Sequence, residues 1–317
     1  MRRPKSHLLA AAVLLDMLWG DPPNRYHPTA WMGTLIGRVK QWALPQAPQQ
    51  QLLTGALLTM LGSISVHWLV SCAQTFAGQI STTAAALLEI FLLKSTFTYR
   101  GLERTSKQVE AALDKQALGE ARTLVSYHLV SRDTSNLDES QLAAAAIESV
   151  AENASDSLLA PLFYYAAGGL PAAVVYRFVN TADAMLGYKD PTHFWLGKIP
   201  ARIDDLLNLI PARLTGLLIS LASWLKGDRQ GQALKIMRRD AGRTESPNAG
   251  YPMSAMSGAL GVKLEKAGQY RLGADFPAPR SEDLSRTRKL FRLTAFLGVG
   301  LMLFLITSTD KRGQTKK

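Results

Sequence analysis

The sequence predicts an all-α protein: a polytopic membrane helical bundle with amphipathic extramembrane helices and one broken or re-entrant segment. Three observations lead there. About six apolar runs alternate with charged stretches, although the mean hydropathy of the 317 residues is only +0.01. Charges in the polar stretches recur at helical rather than alternating spacing. One bilayer-length apolar run also contains Pro161, Gly168, Gly169 and Pro171, breakers tolerated at membrane depth where a kinked helix lines a cavity. The chain reads as a single integral-membrane domain, residues 1–317.

In order, Met1–Lys5 is a basic tail and Leu8–Trp19 an apolar run of 12 residues, short of the roughly 20 that span a bilayer. Asp16 interrupts it and no small-x-small cleavage site follows, which disfavours a secretory signal peptide. Gly20–Pro28 is a proline-rich loop carrying Asp21 and His27. Trp31–Trp42 is amphipathic, suited to an interface, and Leu44–Gln51 reads as a linker. Leu52–Cys72 is a 21-residue span candidate. Phe76–Leu93 is a weaker one, containing Glu89 and ending at Lys94, and a tight joint would make the two a helical hairpin. Residues 96–157 form a polar region with amphipathic helices, a turn at Ser131–Asn136 and a cap at Asp138 or Ser140.

The next helix, Gln141–Asp156, places Glu148, Glu152 and Asp156 at i, i+4 and i+8, one acidic stripe with Asn153 beside it. Like charges at this spacing repel by a few tenths of a kcal/mol each, so the stripe suits a cation, and Mg²⁺ takes such hard oxygen ligands. It leads straight into the broken span candidate Leu158–Val179, and acids beside lipid-length sequence are a functional hypothesis by default. Asn180 and Asp183 follow, then Arg202, Asp204, Asp205, Asn208 and Arg213. Asp204 and Asn208 stand at i, i+4. Leu206–Leu225 is a further span candidate with Pro211 and Arg213 inside. Residues 226–289 are a polar loop with 13 Lys/Arg and 7 Asp/Glu, and Ser246–Pro252 in its middle reads as a stiff, exposed turn around Asn248. Leu290–Ile306 is the last span candidate.

Composition narrows the function. The formal charge is +11, yet no nucleic-acid module or basic stripe with interleaved aromatics is present. Positive-inside loops and phosphorylated substrates account for the excess. Cys72 is the sole cysteine, excluding an intrachain disulfide and a thiolate metal site, and the five histidines lack zinc-ligand spacing. No common phosphate loop, dinucleotide fingerprint or Gly-x-Ser-x-Gly elbow occurs.

Several runs taken together carry a resemblance. They are Gly20-Asp21-Pro22…His27-Pro28; Glu148-Ser-Val-Ala-Glu152-Asn153-Ala-Ser-Asp156; Ala160-Pro161-Leu-Phe-Tyr-Tyr; Tyr176-Arg177…Asn180-Thr-Ala-Asp183-Ala-Met-Leu-Gly187-Tyr188; Ala201-Arg202-Ile-Asp204-Asp205…Asn208-Leu-Ile-Pro211-Ala-Arg213; and Ser246-Pro247-Asn248-Ala-Gly250-Tyr-Pro252. In this order, over about Leu14–Gly273, the chain resembles the CobD/CbiB family of cobalamin biosynthesis, the adenosylcobinamide-phosphate synthases. The resemblance implies a multi-pass enzyme of the bacterial inner membrane that joins (R)-1-amino-2-propanol, or its O-phosphate, to a propionate carboxyl of adenosylcobyric acid. ATP and Mg²⁺ are the implied co-reactants, and other late cobalamin-assembly membrane enzymes the implied partners.

Amide formation from a carboxylate is uphill in water, so such a site needs metal ligands, cations to spread negative charge and a base. Glu148, Glu152, Asp156 and Asp204 are the Mg²⁺ candidates. Arg202 and Arg213 suit phosphate or carboxylate bidentately. Asn153, Asn180, Asn208 and Asn248 are candidate grips on amide or phosphate edges, while Asp21, His27, Asp183 and Asp205 are the candidate catalytic residues. Were every run after Leu52 to cross once, two motif-bearing loops would fall on opposite sides and the basic segments around Leu290–Ile306 would oppose the positive-inside trend. Leu158–Val179 or Leu206–Leu225 is therefore expected not to cross fully. The rival readings are a membrane Mg²⁺-dependent prenyltransferase, which lacks its second Asp-rich run here, and a non-catalytic AmpE-like sensor, which needs no acids.

Overall fold

The computed structural model describes residues 5–129, 133–188, 190–228 and 230–314, with side chains as far as 310. The first residues of the basic tail, Ser131 and Arg132 of the expected turn, Lys189 and the last tail residues lie outside that set. Among the described residues the regular structure is helical apart from one two-stranded hairpin, and the chain forms two compact units, each discontinuous in sequence.

The first unit comprises Met1–Thr98, Ala160–Leu207 and Leu301–Lys317. Helix α1 (Lys5–Trp19) has 15 residues, about 22 Å, too short to span. After a 3₁₀ turn at Asn24–Tyr26, α2 (Pro28–Ala43) starts with Pro28 in its first turn. Helix α3 (Pro48–Ile80) runs 33 residues, its start capped by Gln50 Oε1 accepting from the Ala47 N–H at 3.4 Å. Ser81 then caps α4 (Thr82–Lys94) by accepting from the Ala84 N–H at 3.0 Å. The expected span 52–72 is thus the middle of a longer helix. The expected span 76–93 is not one element: nothing interrupts α3 before Ser81, and α4, at 13 residues, is too short to cross. The hairpin itself is present, with α3 packed on α4.

Helix α8 (Ala160–Leu186) is broken at Gly169, where φ is 76° and ψ −167°, a conformation closed to residues with a Cβ. Pro171 follows and cannot donate back across the break. The interruption expected within 158–179 is therefore a single glycine hinge. Helix α9 (Phe194–Leu207) packs with α8 against α3, around Ile36, Phe178, Ala182, Leu186 and Leu196.

The second unit comprises Tyr99–Leu159 and Asn208–Gly300. It holds α5 (Arg100–Asp114), α6 (Leu118–His128), α7 (Glu139–Ala154), a π turn at Ser155–Leu159, α10 (Leu209–Leu225), α11 (Gln232–Asp240), α12 (Gly250–Leu260) and the antiparallel hairpin β1 (Leu264–Lys266) with β2 (Tyr270–Leu272). Helix α13 (Ser281–Gln314) begins here, well ahead of the expected Leu290, because Asp283 accepts from the Arg280 N–H at 3.0 Å and opens the helix early. Ion pairs from Arg288 to Glu110 and from Arg292 to Glu103 tie its first half to α5. Asp138 caps α7 in a reciprocal box with Gln141, and the run Ala143–Ala146 is buried in the core beside Ile219, Met253 and Met256. The polar region 96–157 is thus mostly packed helix and 226–289 about half helix, because their apolar positions recur at helical spacing and seal this core.

Among the described residues, three helices are long and apolar enough to cross a membrane: Pro48–Ile80, Glu139–Leu186 and Ser281–Asp310. The pair α9 and α10 passes the same test together but bends by 50°. The bundle with a bent segment is as the sequence predicts. The bend falls at Asn208, ahead of Pro211, which occupies the first turn of α10 and so leaves that helix intact.

Candidate active site

In the first unit, the Gly20–Pro28 loop is organised by one lysine. Lys94, at the end of α4 and only 6% exposed, reaches Asp16 Oδ1 at 2.8 Å and Asp21 Oδ1 at 2.5 Å. Asp16 on α1 is fully buried. Asp21 also accepts from the Thr98 hydroxyl at 2.9 Å and stands 3.5 Å from His27 Nε2. His27 Nδ1 accepts from the Thr29 N–H at 3.2 Å, capping α2, so in the neutral ring the proton sits on Nε2 and faces Asp21. Burial pushes the Asp21 carboxyl up, but the hydrogen bonds from His27, Lys94 and Thr98 and the Lys94 charge outweigh it and hold the acid well below the usual carboxylate range. A carboxylate so stabilised is a weak base. The expected Asp21–His27 pair therefore exists, with Asp21 held by Lys94 and Thr98 as well. Lys94 was not among the expected site residues. Its only sequence signal is a lysine closing an apolar run, 73 residues from its partner.

The same unit links Arg177, Asn180 and Asp204. Arg177 donates to Asn180 Oδ1 at 3.1 Å, and Asn180 Nδ2 donates to Asp204 Oδ1 at 3.3 Å, joining α8 to α9. Asp204 is 7% exposed. Tyr164 stacks on Tyr176 with ring centroids 5.1 Å apart and donates to the Leu207 carbonyl at 2.9 Å, fixing the end of α9 just before the bend. Asp183 folds back on the end of α8, where a Cβ at Gly187 would come within 2.1 Å of Asp183 Oδ1. The glycine of that motif makes room for the acid. Asp205 pairs loosely with the exposed Arg202 at 3.9 Å. Asp204 and Asn208 do not continue one helix as i, i+4 requires: the bend intervenes, and Asn208 stands at the cap of α10.

In the second unit, the acidic stripe is split by depth and by helix type. Glu148 is buried, while Glu152 and Asp156 are partly exposed. Asp156 lies in the π turn rather than on the α-helix, and such turns recur at functional sites. Asn153 donates to the Ser149 carbonyl at 2.9 Å and accepts from the Ser157 hydroxyl at 2.8 Å, so its amide braces the junction of α7 with the π turn. Arg213 lies over the Tyr251 ring at 4.2 Å and donates to Asn248 Oδ1 at 3.2 Å and the Leu209 carbonyl at 2.8 Å. The segment Ser246–Pro252 is not the exposed turn expected: Asn248 and Gly250 are buried, because Asn248 receives Arg213 and α12 starts at Gly250. Tyr251 and Arg177 thus join the site although neither was assigned a role.

Among the described residues, no group of three or more His, Cys, Asp or Glu side chains is arranged to hold a metal ion. A magnesium ion that arrives on substrate phosphates needs only one or two protein carboxylates. Of the acidic stripe, Glu152 and Asp156 reach the surface, whereas Glu148 is buried.

Apolar membrane-length helices, with carboxylate, asparagine and arginine side chains held by hydrogen bonds in each unit, define an integral membrane protein. A family model described as "CobD/Cbib protein" matches residues 9–293. The chain is 40% identical over 268 residues to the cobalamin biosynthesis protein CobD of Dehalococcoides mccartyi, covering 83% of this chain and 85% of the relative. It is 38% identical over 302 residues to the probable cobalamin biosynthesis protein CobD of Methanothermobacter thermautotrophicus, covering 94% and 98%. The Photorhabdus laumondii protein of the same name is 38% identical over 256 residues, 80% of each chain. No solved structure matches it. The chain belongs to the CobD/CbiB family.

Proposed function

We propose that this chain works in cobalamin biosynthesis as an ATP-dependent acid–amine ligase of the bacterial inner membrane. It would join the amino group of (R)-1-amino-2-propanol, or of its O-phosphate, to a propionate carboxyl of adenosylcobyric acid. The observation that carries this reading is the family match over residues 9–293, within which every candidate site residue falls.

The chemistry sets what the residues must do. Phosphoryl transfer from ATP to the propionate gives an acyl phosphate and ADP. The amine then attacks the acyl carbon, phosphate leaves, and the ammonium proton passes to a base. Glu152 and Asp156 would hold a magnesium ion that arrives on ATP, and that ion would neutralise phosphate charge. Arg213, preset by Tyr251 and Asn248, suits a phosphate or carboxylate oxygen pair because its guanidinium plane is already oriented. Asn180 and Asp204 orient one another, and Asp183 and Asp205, less buried, are the proton acceptors assigned to the amine. Asp21 and His27 hold their loop in place. Glu148 and Asn153 support α7 from inside.

The test uses membranes containing the full chain, with adenosylcobyric acid, ATP, Mg²⁺ and either amine, and mass spectrometry of the product. The ligase reading expects adenosylcobinamide or its phosphate from the wild type. Glu152→Gln and Asp183→Asn should lose that product while inserting normally. Unchanged product from both variants would sink the assignment of the acids, and no corrinoid amide from the wild type would sink the ligase.

A further inference from the structure

The second unit carries a basic groove that the proposed reaction does not use. Helix α11 buries Ala233, Ile236 and Met237 and packs on α12. Its outer face is basic, with Lys235 and Arg238 exposed three residues apart on one side. With Gln230, Gly231, Leu234 and Arg239 they line a shallow groove of about 530 Å³. Arg239 is engaged by Asp240 and Asp275. Lys235 and Arg238 have no carboxylate partner among the described residues, so their charge is turned outward.

What lies beside the groove is set by Asp228. Its carboxylate accepts from the Ser223 hydroxyl at 3.2 Å, in the last turns of α10, and from the N–H groups of Gln232 and Ala233, both at 3.1 Å, in the first turn of α11. Its own N–H donates to the Ser223 carbonyl at 3.1 Å. One residue therefore clasps the start of α11 to the end of α10. That end is apolar and uncovered: Trp224 is 58% exposed and Leu225 53%. An exposed tryptophan closing an apolar helix marks the level of lipid headgroups.

We propose that Lys235 and Arg238 form a binding site for the phosphate of an anionic phospholipid headgroup. Trp224 and Leu225 mark the acyl boundary beneath it. The lipid is the occupant, rather than a soluble phosphate, because the clasp fixes the groove at the lipid-facing end of α10. Basic side chains beside a membrane each raise affinity for anionic lipid about fivefold, and salt weakens the attraction.

The experiment places the full-length protein in phosphatidylcholine nanodiscs doped with spin-labelled phosphatidylglycerol or spin-labelled phosphatidylcholine. It reads the motionally restricted fraction by electron paramagnetic resonance. The wild type should restrict phosphatidylglycerol preferentially. Lys235→Gln with Arg238→Gln should cut that preference by roughly 25-fold, about fivefold per residue. The swap Lys235→Arg with Arg238→Lys should retain it, as should Lys107→Gln, which removes an exposed charge on α5. Equal restriction of both lipids by the wild type, or an unchanged preference in the double variant, overturns the proposal. So does inorganic tripolyphosphate binding that the double variant loses while no lipid preference is present, since that assigns the groove to a soluble anion.

Discussion

Lys94 reaches the Asp21 carboxylate at 2.5 Å across 73 residues of chain, while its ammonium also lies against Asp16 at 2.8 Å. Lys94 is 6% exposed and Asp16 not at all. A charge pair taken out of water is tolerated because each member compensates the other, and removing one strands its partner.

Lys94→Met should therefore lower stability by about 3–5 kcal/mol. The double variant Asp16→Asn with Lys94→Met should recover part of that loss, since no uncompensated charge then remains buried. Thermal unfolding in detergent reads both. A double variant that falls by the sum of the single effects would argue against a coupled pair.

The depressed Asp21 carboxyl gives a signed pH prediction. A group whose folded pKa is lowered contributes stability that is whole above its unfolded value, near 4, and is lost as pH falls toward the folded value. The stability difference between the wild type and Asp21→Asn should stay level from neutral pH down to about 4 and shrink only below it. Unfolding midpoints over a pH series check this. A difference that disappears between about pH 7 and 5 would contradict the contacts described for Asp21.

Gly169 holds a backbone conformation that L-residues avoid. Gly169→Ala should cost about 1–3 kcal/mol, either as lower stability or as a rearranged break in α8. Gly300→Ala, within α13 and with open space where its Cβ would lie, should be neutral or mildly stabilising. Equal effects at both glycines would remove the case for a required hinge.

Arg213 and Asn248 share a hydrogen bond, so their substitutions should not add. Arg213→Lys keeps the charge but loses the planar fork, and Asn248→Ala loses the acceptor. A double-mutant cycle on kcat/KM for corrinoid amide formation should return a coupling of about 0.5–3 kcal/mol. Additive losses would show that Asn248 does not orient Arg213 for the reaction.

Legibility in the sequence followed the range of the interaction. The cap at Asp138, the hairpin after α3 and the break in α8 depend on residues a few positions apart, and each could be read locally. Where α3 ends could not be so read: its apolar stretch continues smoothly through Ile80, and only the Ser81 cap stops it. Hydropathy also classed 226–289 as a loop because it averages over both faces of an amphipathic helix. The site shows the same division. Asp21 and His27 are six positions apart and were paired in advance, but the lysine that also holds Asp21 comes from another helix. The acidic stripe assumed one uninterrupted α-helix, and the π turn at Ser155–Leu159 shifts Asp156 off that register.

By itself the sequence determined that the protein is a helical membrane protein, which family it belongs to, and which acids, asparagines and arginines stand out. Those properties follow from composition, period and local motif. Only the tertiary structure decided that Lys94 bridges Asp16 and Asp21, that Asn248 is buried to receive Arg213, and that Asp228 joins α10 to α11 beside two uncommitted basic side chains. A charge is meaningful through its partner and its depth, and both are set by which helices pack together rather than by neighbours along the chain.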